Sequence, residues 1–254
     1  MSQTIAISGK GGSGKTTLAG LIVRTLTERT GRSVLAVDAD PNACLAPTLG
    51  VEVETTVGQI RDDALERKLQ TGPGMDRERA VEYAIQRAVV EATGFDLLAM
   101  GHTEGPKCYC AVNHLLRKYL DRAGSDYHWL VLDNEAGMEH LSRRTTDAVE
   151  RLLVVAEPTP IGATTAERIL GLAERLPVTI RQTGVIWNKV TEAARPEALA
   201  GDLPTIARVP MDPAILEMSM TGGSVFDLPA DSLAMEAIGA ALAETLGAEL
   251  PQPS

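Results

Sequence analysis

The sequence predicts an α/β fold: one domain over residues 1–254, with a mostly parallel sheet of about seven or eight strands and helices on both faces. Two patterns predict it. Short apolar runs alternate with longer stretches of helical period along the chain, as buried strands alternate with the helices that cover them. A length of 254 residues also suits one well-buried core and is short for two.

In chain order, Thr4–Ser8 reads as a strand that runs straight into glycines. Leu18, Ile22 and Leu26 then fall at i, i+4 and i+8, one stripe of a helix. Ser33–Asp38 is the next strand. Val57–Gly74 is charged and ends in Thr-Gly-Pro-Gly, which predicts a helix followed by a surface loop. Further strands are expected at Phe95–Met100, Trp129–Asp133, Leu152–Ala156, Gly184–Trp187 and Ile206–Val209. Further helices are expected at Val81–Glu91, Ala111–Ala123, Leu141–Arg151, Thr165–Arg175 and Ser232–Leu246. Pro251–Ser254 reads as a tail, and no internal repeat is visible.

Composition removes several functions. Aromatic residues make up only 3%, which predicts an aliphatic core and argues against a stacking platform for single-stranded nucleic acid. The formal charge is −10, with 34 acidic against 24 basic residues, which repels nucleic acid and anionic membrane alike. The Arg residues are interspersed with acids, as in Asp76–Arg79 and Glu82–Arg87, and read as solvated helix faces. No stretch approaches the ~20 apolar residues of a membrane helix. The N-terminus reads as a strand and not a signal peptide. Three cysteines argue against a disulfide framework. A cytoplasmic protein without nucleic-acid or membrane partners is expected.

Gly9-Lys10-Gly11-Gly12-Ser13-Gly14-Lys15-Thr16-Thr17 fits G-x-x-x-x-G-K-[ST] between an expected strand and an expected helix. Backbone amides can wrap phosphate oxygens only where side chains stay clear, which Gly11, Gly12 and Gly14 allow, with φ > 0 available to them. The helix start adds its positive dipole end. Lys15 would reach the β- and γ-phosphates and the Thr16 hydroxyl would ligate Mg²⁺. ATP or ADP is the expected ligand. Asp38 and Asp40, at i and i+2, end the second strand, and Asp133 ends the run Trp129–Asp133. Ligands of open α/β sheets bind at that edge. Asp38 and Asp40 before Pro41 also suit a plain turn.

Lys10 makes the loop K-G-G-x-G-K-T-T, which resembles the deviant loop of the MinD/ParA and nitrogenase iron-protein class of P-loop ATPases. The resemblance implies that Lys10 touches phosphates, often across an ATP-bound dimer. It implies that Asp40 orients the attacking water and that Asp38 holds the magnesium hydration shell. Asp133 would bind Mg²⁺ through water, and the Gly137 N–H would sense the γ-phosphate. Asn188 would lie against adenine, with Pro210 and Asp212 as the other wall.

Cys108-Tyr109-Cys110 is a different signal. Two thiols at i and i+2 of an extended segment face the same way and select soft or borderline ions such as Zn²⁺ or Ni²⁺. Two ligands leave a four-coordinate ion half satisfied, and a twofold dimer would complete the set. Two small inert cysteines remain the alternative. Cys44 and the histidines, His102 among them, carry no comparable pattern.

The segments Cys108–Arg117 and Asp133–Thr146 resemble the carbon monoxide dehydrogenase maturation (CooC-type) ATPases, and the likeness extends from the N-terminus to about Pro210. Lys107 and Ala111 depart from that pattern. The resemblance implies a nickel-insertion ATPase whose ATP-bound homodimer holds Ni²⁺ or Zn²⁺ between four cysteines, with apo carbon monoxide dehydrogenase as recipient. An iron–sulfur electron-transfer ATPase like the nitrogenase iron protein would take its ligands from separated cysteines. A MinD/ParA-type positioning ATPase acting on membrane or DNA predicts a basic surface, and residues 232–250 carry no Lys or Arg.

Overall fold

A computed structural model describes residues 2–66, 76–102, 114–115, 117–120, 126–134 and 148–247. The strands are β1 (Gln3–Gly9), β2 (Val34–Ala39), β3 (Val90–Glu91), β4 (Phe95–Ala99), β5 (Trp129–Asn134), β6 (Ala148–Ala156), β7 (Thr179–Val190) and β8 (Thr205–Pro210). They form one sheet in the order β3-β4-β2-β5-β1-β6-β7-β8. Every described pair is parallel except the short β3–β4 edge. The helices whose bounds are described are α1 (Lys15–Thr30), α2 (Leu45–Leu49), α3 (Val57–Leu65), α4 (Arg77–Arg87), α5 (Pro160–Ala173), α6 (Pro196–Ala200), α7 (Pro213–Thr221) and α8 (Leu233–Leu246), and residues 114–115 and 117–120 are helical as well.

Strand side chains alternate between two apolar layers, as the period of two requires. Ile5, Ile7, Val34, Ala36, Trp129, Val131, Leu153 and Val155 face α1, α2 and α8. Ala6, Leu35, Val37, Leu130, Leu132, Leu152 and Val154 face α3, α4 and α5. With both faces covered, each central strand reads as a continuous apolar run. That is why the runs were legible. The helix α1 is buried beyond its predicted stripe: Ala19, Leu21 and Val23 are as inaccessible as Leu18, Ile22 and Leu26, because α8 and the turn Val225–Asp227 close over it.

Several expectations are corrected. Asp76 caps α4 by accepting from the Arg79 amide at 2.8 Å, so that helix starts at Arg77 and ends at Arg87, and Val90–Glu91 is an antiparallel edge strand. The proposed helix Leu141–Arg151 fails in its last four residues. Ala148–Arg151 belongs to β6, paired with β7 from Ala148↔Thr179 onward, and the Glu150 carboxylate accepts from the Thr4 amide. Residues 141–147 lie outside the described residues. Arg24 is not on a solvated face: it is 6% exposed, and its guanidinium donates to Val225 O and Leu228 O, both at 2.7 Å, tying α1 to the chain that follows α7.

Asp212 is a two-helix cap. Its Oδ1 accepts from the Ala214 amide of α7 at 2.9 Å and its Oδ2 from the Ala234 amide of α8 at 3.0 Å. Both orphan donors lose their partner in Asp212→Ala, which should cost about 2 kcal/mol in urea denaturation. A loss below about 0.5 kcal/mol would mean the two caps carry no stability.

Candidate active site

The loop after β1 lies at the carboxyl edge of the sheet, where β2, β5, β6 and β7 also end. Gly9 pairs with Val155 of β6 so closely that a Cβ there would stand 2.3 Å from the Val155 carbonyl oxygen. The loop then folds back on itself: the Ser13 amide and hydroxyl both donate to Lys10 O, at 3.2 and 2.8 Å. Gly14, with φ 94°, opens α1 without a side-chain cap, and no acid sits in the first turn. The first amides of α1 are therefore left for an anion. A Cβ at Gly11 or Gly12 would meet no protein atom within 4 Å, so the cradle is open there. Gly12 and Gly14 take the expected positive φ, whereas Gly11 does not. Lys15 is buried at the start of α1, Thr16 and Thr17 are half-buried beside it, and Lys10 is exposed on the rim.

The acids converge from two strands. Asp38 of β2 and Asp133 of β5 are direct register partners, and Asp133 also pairs with Ile7 of β1 just before the loop. Asp38 is fully buried, with Oδ2 accepting from the Leu45 amide at 2.7 Å and Oδ1 from the Asp40 amide at 3.2 Å. Burial pushes its pKa up to about 7, against those amides, with Asp133 adding repulsion. Asp133 is raised to about 6, again by burial first, while the Thr16 hydroxyl and the Lys15 ammonium draw it back. Neither oxygen of Asp133 meets a donor at hydrogen-bond geometry. Two buried acceptors without partners, beside a threonine hydroxyl and a second carboxylate, fit a hydrated divalent cation. Asp40 stands at the mouth, its Oδ1 accepting from the Asn42 amide and side chain at 2.9 and 2.8 Å.

On the other side of the loop, Asn188 is buried and donates from Nδ2 to Ser13 O at 2.8 Å. A Cβ at Gly14 would stand 2.3 Å from that side-chain amide, so a larger residue there would displace Asn188 in addition to straining the positive φ. Pro210 ends β8, and Met211 is 56% exposed over a recess of about 400 Å³ that Glu157, Pro158, Lys189 and Thr191 also line. Asp212 stands behind it with both oxygens committed to helix caps. Sequence reasoning missed Lys189, Glu157 and Asn134. Asn134 donates to Ile7 O and Leu132 O, tying β5 to β1 beneath the loop. The position of Asn134 directly after Asp133 was visible; its contact with β1 was not.

Cys108, Cys110 and Gly137 lie outside the described residues. Among the described residues no group of three or more His, Cys, Asp or Glu side chains is arranged to hold a metal ion, and no helix is long and apolar enough to cross a membrane. Cys44 is exposed, and its thiol pKa is raised by partial burial and by Asp38, Asp40 and Asp133, which disfavours a reactive thiolate.

A glycine-rich loop from strand to helix, flanked by a buried lysine and paired strand-end aspartates, defines the chain as a P-loop ATPase. It belongs to the family of the CobQ/CobB/MinD/ParA nucleotide binding domain, whose model matches residues 4–225. It is 41% identical to an uncharacterised ATP-binding protein of Methanocaldococcus jannaschii, covering 89% of this chain and 91% of that one. It is 34% identical to the carbon monoxide dehydrogenase accessory protein CooC of Rhodospirillum rubrum, covering 96% and 97%. The fold matches a ParA family ATPase of Chlorobium tepidum (TM-score 0.74, 20% identity, 95% and 99% covered). It also matches the septum site-determining protein MinD of Pyrococcus horikoshii complexed with Mg-ADP (TM-score 0.72, 24% identity, 99% and 100% covered).

Proposed function

We propose that this ATPase is a metallochaperone: an ATP-linked homodimer that holds a nickel or zinc ion between Cys108 and Cys110 of each copy and supports nickel insertion into carbon monoxide dehydrogenase. The observation that carries the reading is the Cys108-Tyr109-Cys110 pair in a chain 34% identical, over 96% of its length, to a carbon monoxide dehydrogenase accessory protein.

In this reading the amides of Gly11 to Thr17 and the Lys15 ammonium hold the phosphates of ATP and then of ADP. Thr16, Asp38 and Asp133 hold a hydrated Mg²⁺, which supplies charge neutralisation at the phosphate oxygens when bound. Asp40 orients the attacking water from the mouth of the site. The water oxygen bonds to the γ-phosphorus, the bond to the β–γ bridging oxygen breaks, and the water's proton leaves with the products. Lys10 reaches phosphate from across the dimer, and Gly137 reads whether the γ-phosphate is present. Asn188, Pro210 and Asp212 stand on the base side. Loss of the γ-phosphate loosens the dimer, and a closed set of four thiolates becomes two open pairs that can give up the ion.

The test combines metal analysis with sizing, with and without ATP. The wild type should bind about one Ni²⁺ or Zn²⁺ per ATP-bound dimer. Replacing Cys108 and Cys110 together by Ala should abolish that binding and leave the monomer's affinity for ATP intact. Unchanged metal content in the double variant would sink the reading.

A further inference from the structure

Asn188 and Lys189 are consecutive residues of β7, and in a regular strand their side chains would point to opposite faces of the sheet. They do not. The β7–β8 pairing slips between Trp187↔Arg208 and Val190↔Pro210, so β7 advances three residues while β8 advances two. Lys189 absorbs the extra residue in the left-handed region, at φ 57°; among the described residues only Ala43 shares that conformation without being glycine. Bulges of this kind re-aim side chains. Both side chains consequently meet the phosphate loop. Lys189 Nζ donates to Gly12 O at 2.7 Å and Asn188 Nδ2 to Ser13 O at 2.8 Å. In a trans peptide the amide N–H points away from its carbonyl. Holding these two carbonyls back therefore fixes the direction of the Gly14 N–H, and keeps the Ser13 N–H in its bond to Lys10 O, which sets the curl of the loop around the phosphate cradle.

Fold stability does not account for the strain. Lys189 Nζ also pairs with Glu157 Oε1 at 2.6 Å, but both side chains are about two-fifths exposed, and such pairs contribute little. A left-handed lysine costs the fold more than glycine at the same place would. Strained residues that persist on these terms cluster at functional sites.

We propose that Lys189 is a positioning residue for the phosphate loop, held by Glu157 and acting through the Gly12 carbonyl on any ligand with a di- or triphosphate. The proposal rests on the phosphate-loop chemistry and is independent of the cysteine–metal reading, which metal analysis tests separately.

Two variants of the full chain test it by calorimetric titration with Mg²⁺·ATP and with inorganic tripolyphosphate, alongside thermal unfolding without ligand. Lys189→Gly removes both the ammonium and the strain. Lys189→Met removes the ammonium and keeps the stem. Affinity for both ligands should fall about tenfold in both variants, the loss of one charge-assisted hydrogen bond's worth of positioning. The unliganded Tm of Lys189→Gly should equal or exceed that of the wild type. Affinity therefore falls without a loss of stability, which a merely structural role would not produce. Wild-type affinity in either variant overturns the proposal. So does a loss for ATP without one for tripolyphosphate, or a binding loss in Lys189→Gly that comes with a lower Tm.

Discussion

Lys15→Ala should lower ATP hydrolysis by about a hundredfold or more and weaken ATP binding to a comparable degree. The lysine is 8% exposed at the first position of α1, where the loop amides and the helix start converge. A buried ammonium in a preorganised cradle stabilises phosphate charge without having to be ordered at the moment of reaction. It also draws down the pKa of Asp133, so its removal leaves the acids with less compensation. Lys15→Arg should not rescue activity, because a planar fork does not replace a compact point charge in a site of this size. Phosphate release and titration of ATP binding check the expectation. An alanine variant that binds ATP as the wild type does would remove the basis for the phosphate-loop chemistry.

Asp133→Asn should do two opposite things: cut hydrolysis by roughly a hundredfold and make the ligand-free protein more stable at neutral pH. The carboxyl is raised from 3.8 to about 6 by burial, which the Thr16 hydroxyl and the Lys15 ammonium offset only in part. Between those values the folded chain binds the proton more tightly than the unfolded chain. The unfolding free energy therefore falls as pH rises through the window, and the full penalty stands above pH 6. A shift of that size corresponds to about 3 kcal/mol. A buried, imperfectly paired Asn amide takes back part, leaving about 1–2 kcal/mol in favour of the variant near pH 7.5. The gain should vanish as pH approaches the ordinary carboxylate range. Urea denaturation with a chelator and without nucleotide measures it across pH 4–8. A variant no more stable than wild type at pH 7.5 would mean that Asp133 is not held there at a cost to the fold.

The site was legible to the extent that its parts are contiguous. Gly9 to Thr17 carries its motif in adjacent residues, and Asp38 and Asp133 each end a short apolar run that reads as a buried strand. Asn188 and Asp212 were legible as positions but not as contacts. Asn188 reaches Ser13 across 175 residues of sequence, and Asp212 spends both oxygens on the first turns of α7 and α8. Arg24 illustrates the same limit. A charged residue in a helical stripe looks solvated until a distant turn places two carbonyls over it.

The amino-acid sequence by itself determined the strand–loop–helix of the phosphate-loop motif, the layered sheet behind it and the acids along its edge. These follow from hydrophobic period, glycine clearance and helix polarity, all of which act over a few neighbouring residues. Tertiary structure alone decided which carbonyls Asn188 and Lys189 hold, that Asp38 and Asp133 stand side by side, and that β7 bulges beside the loop. Those depend on strand register and on the order of strands in the sheet. Many side chains far apart in the chain settle register together, and no local pattern encodes it.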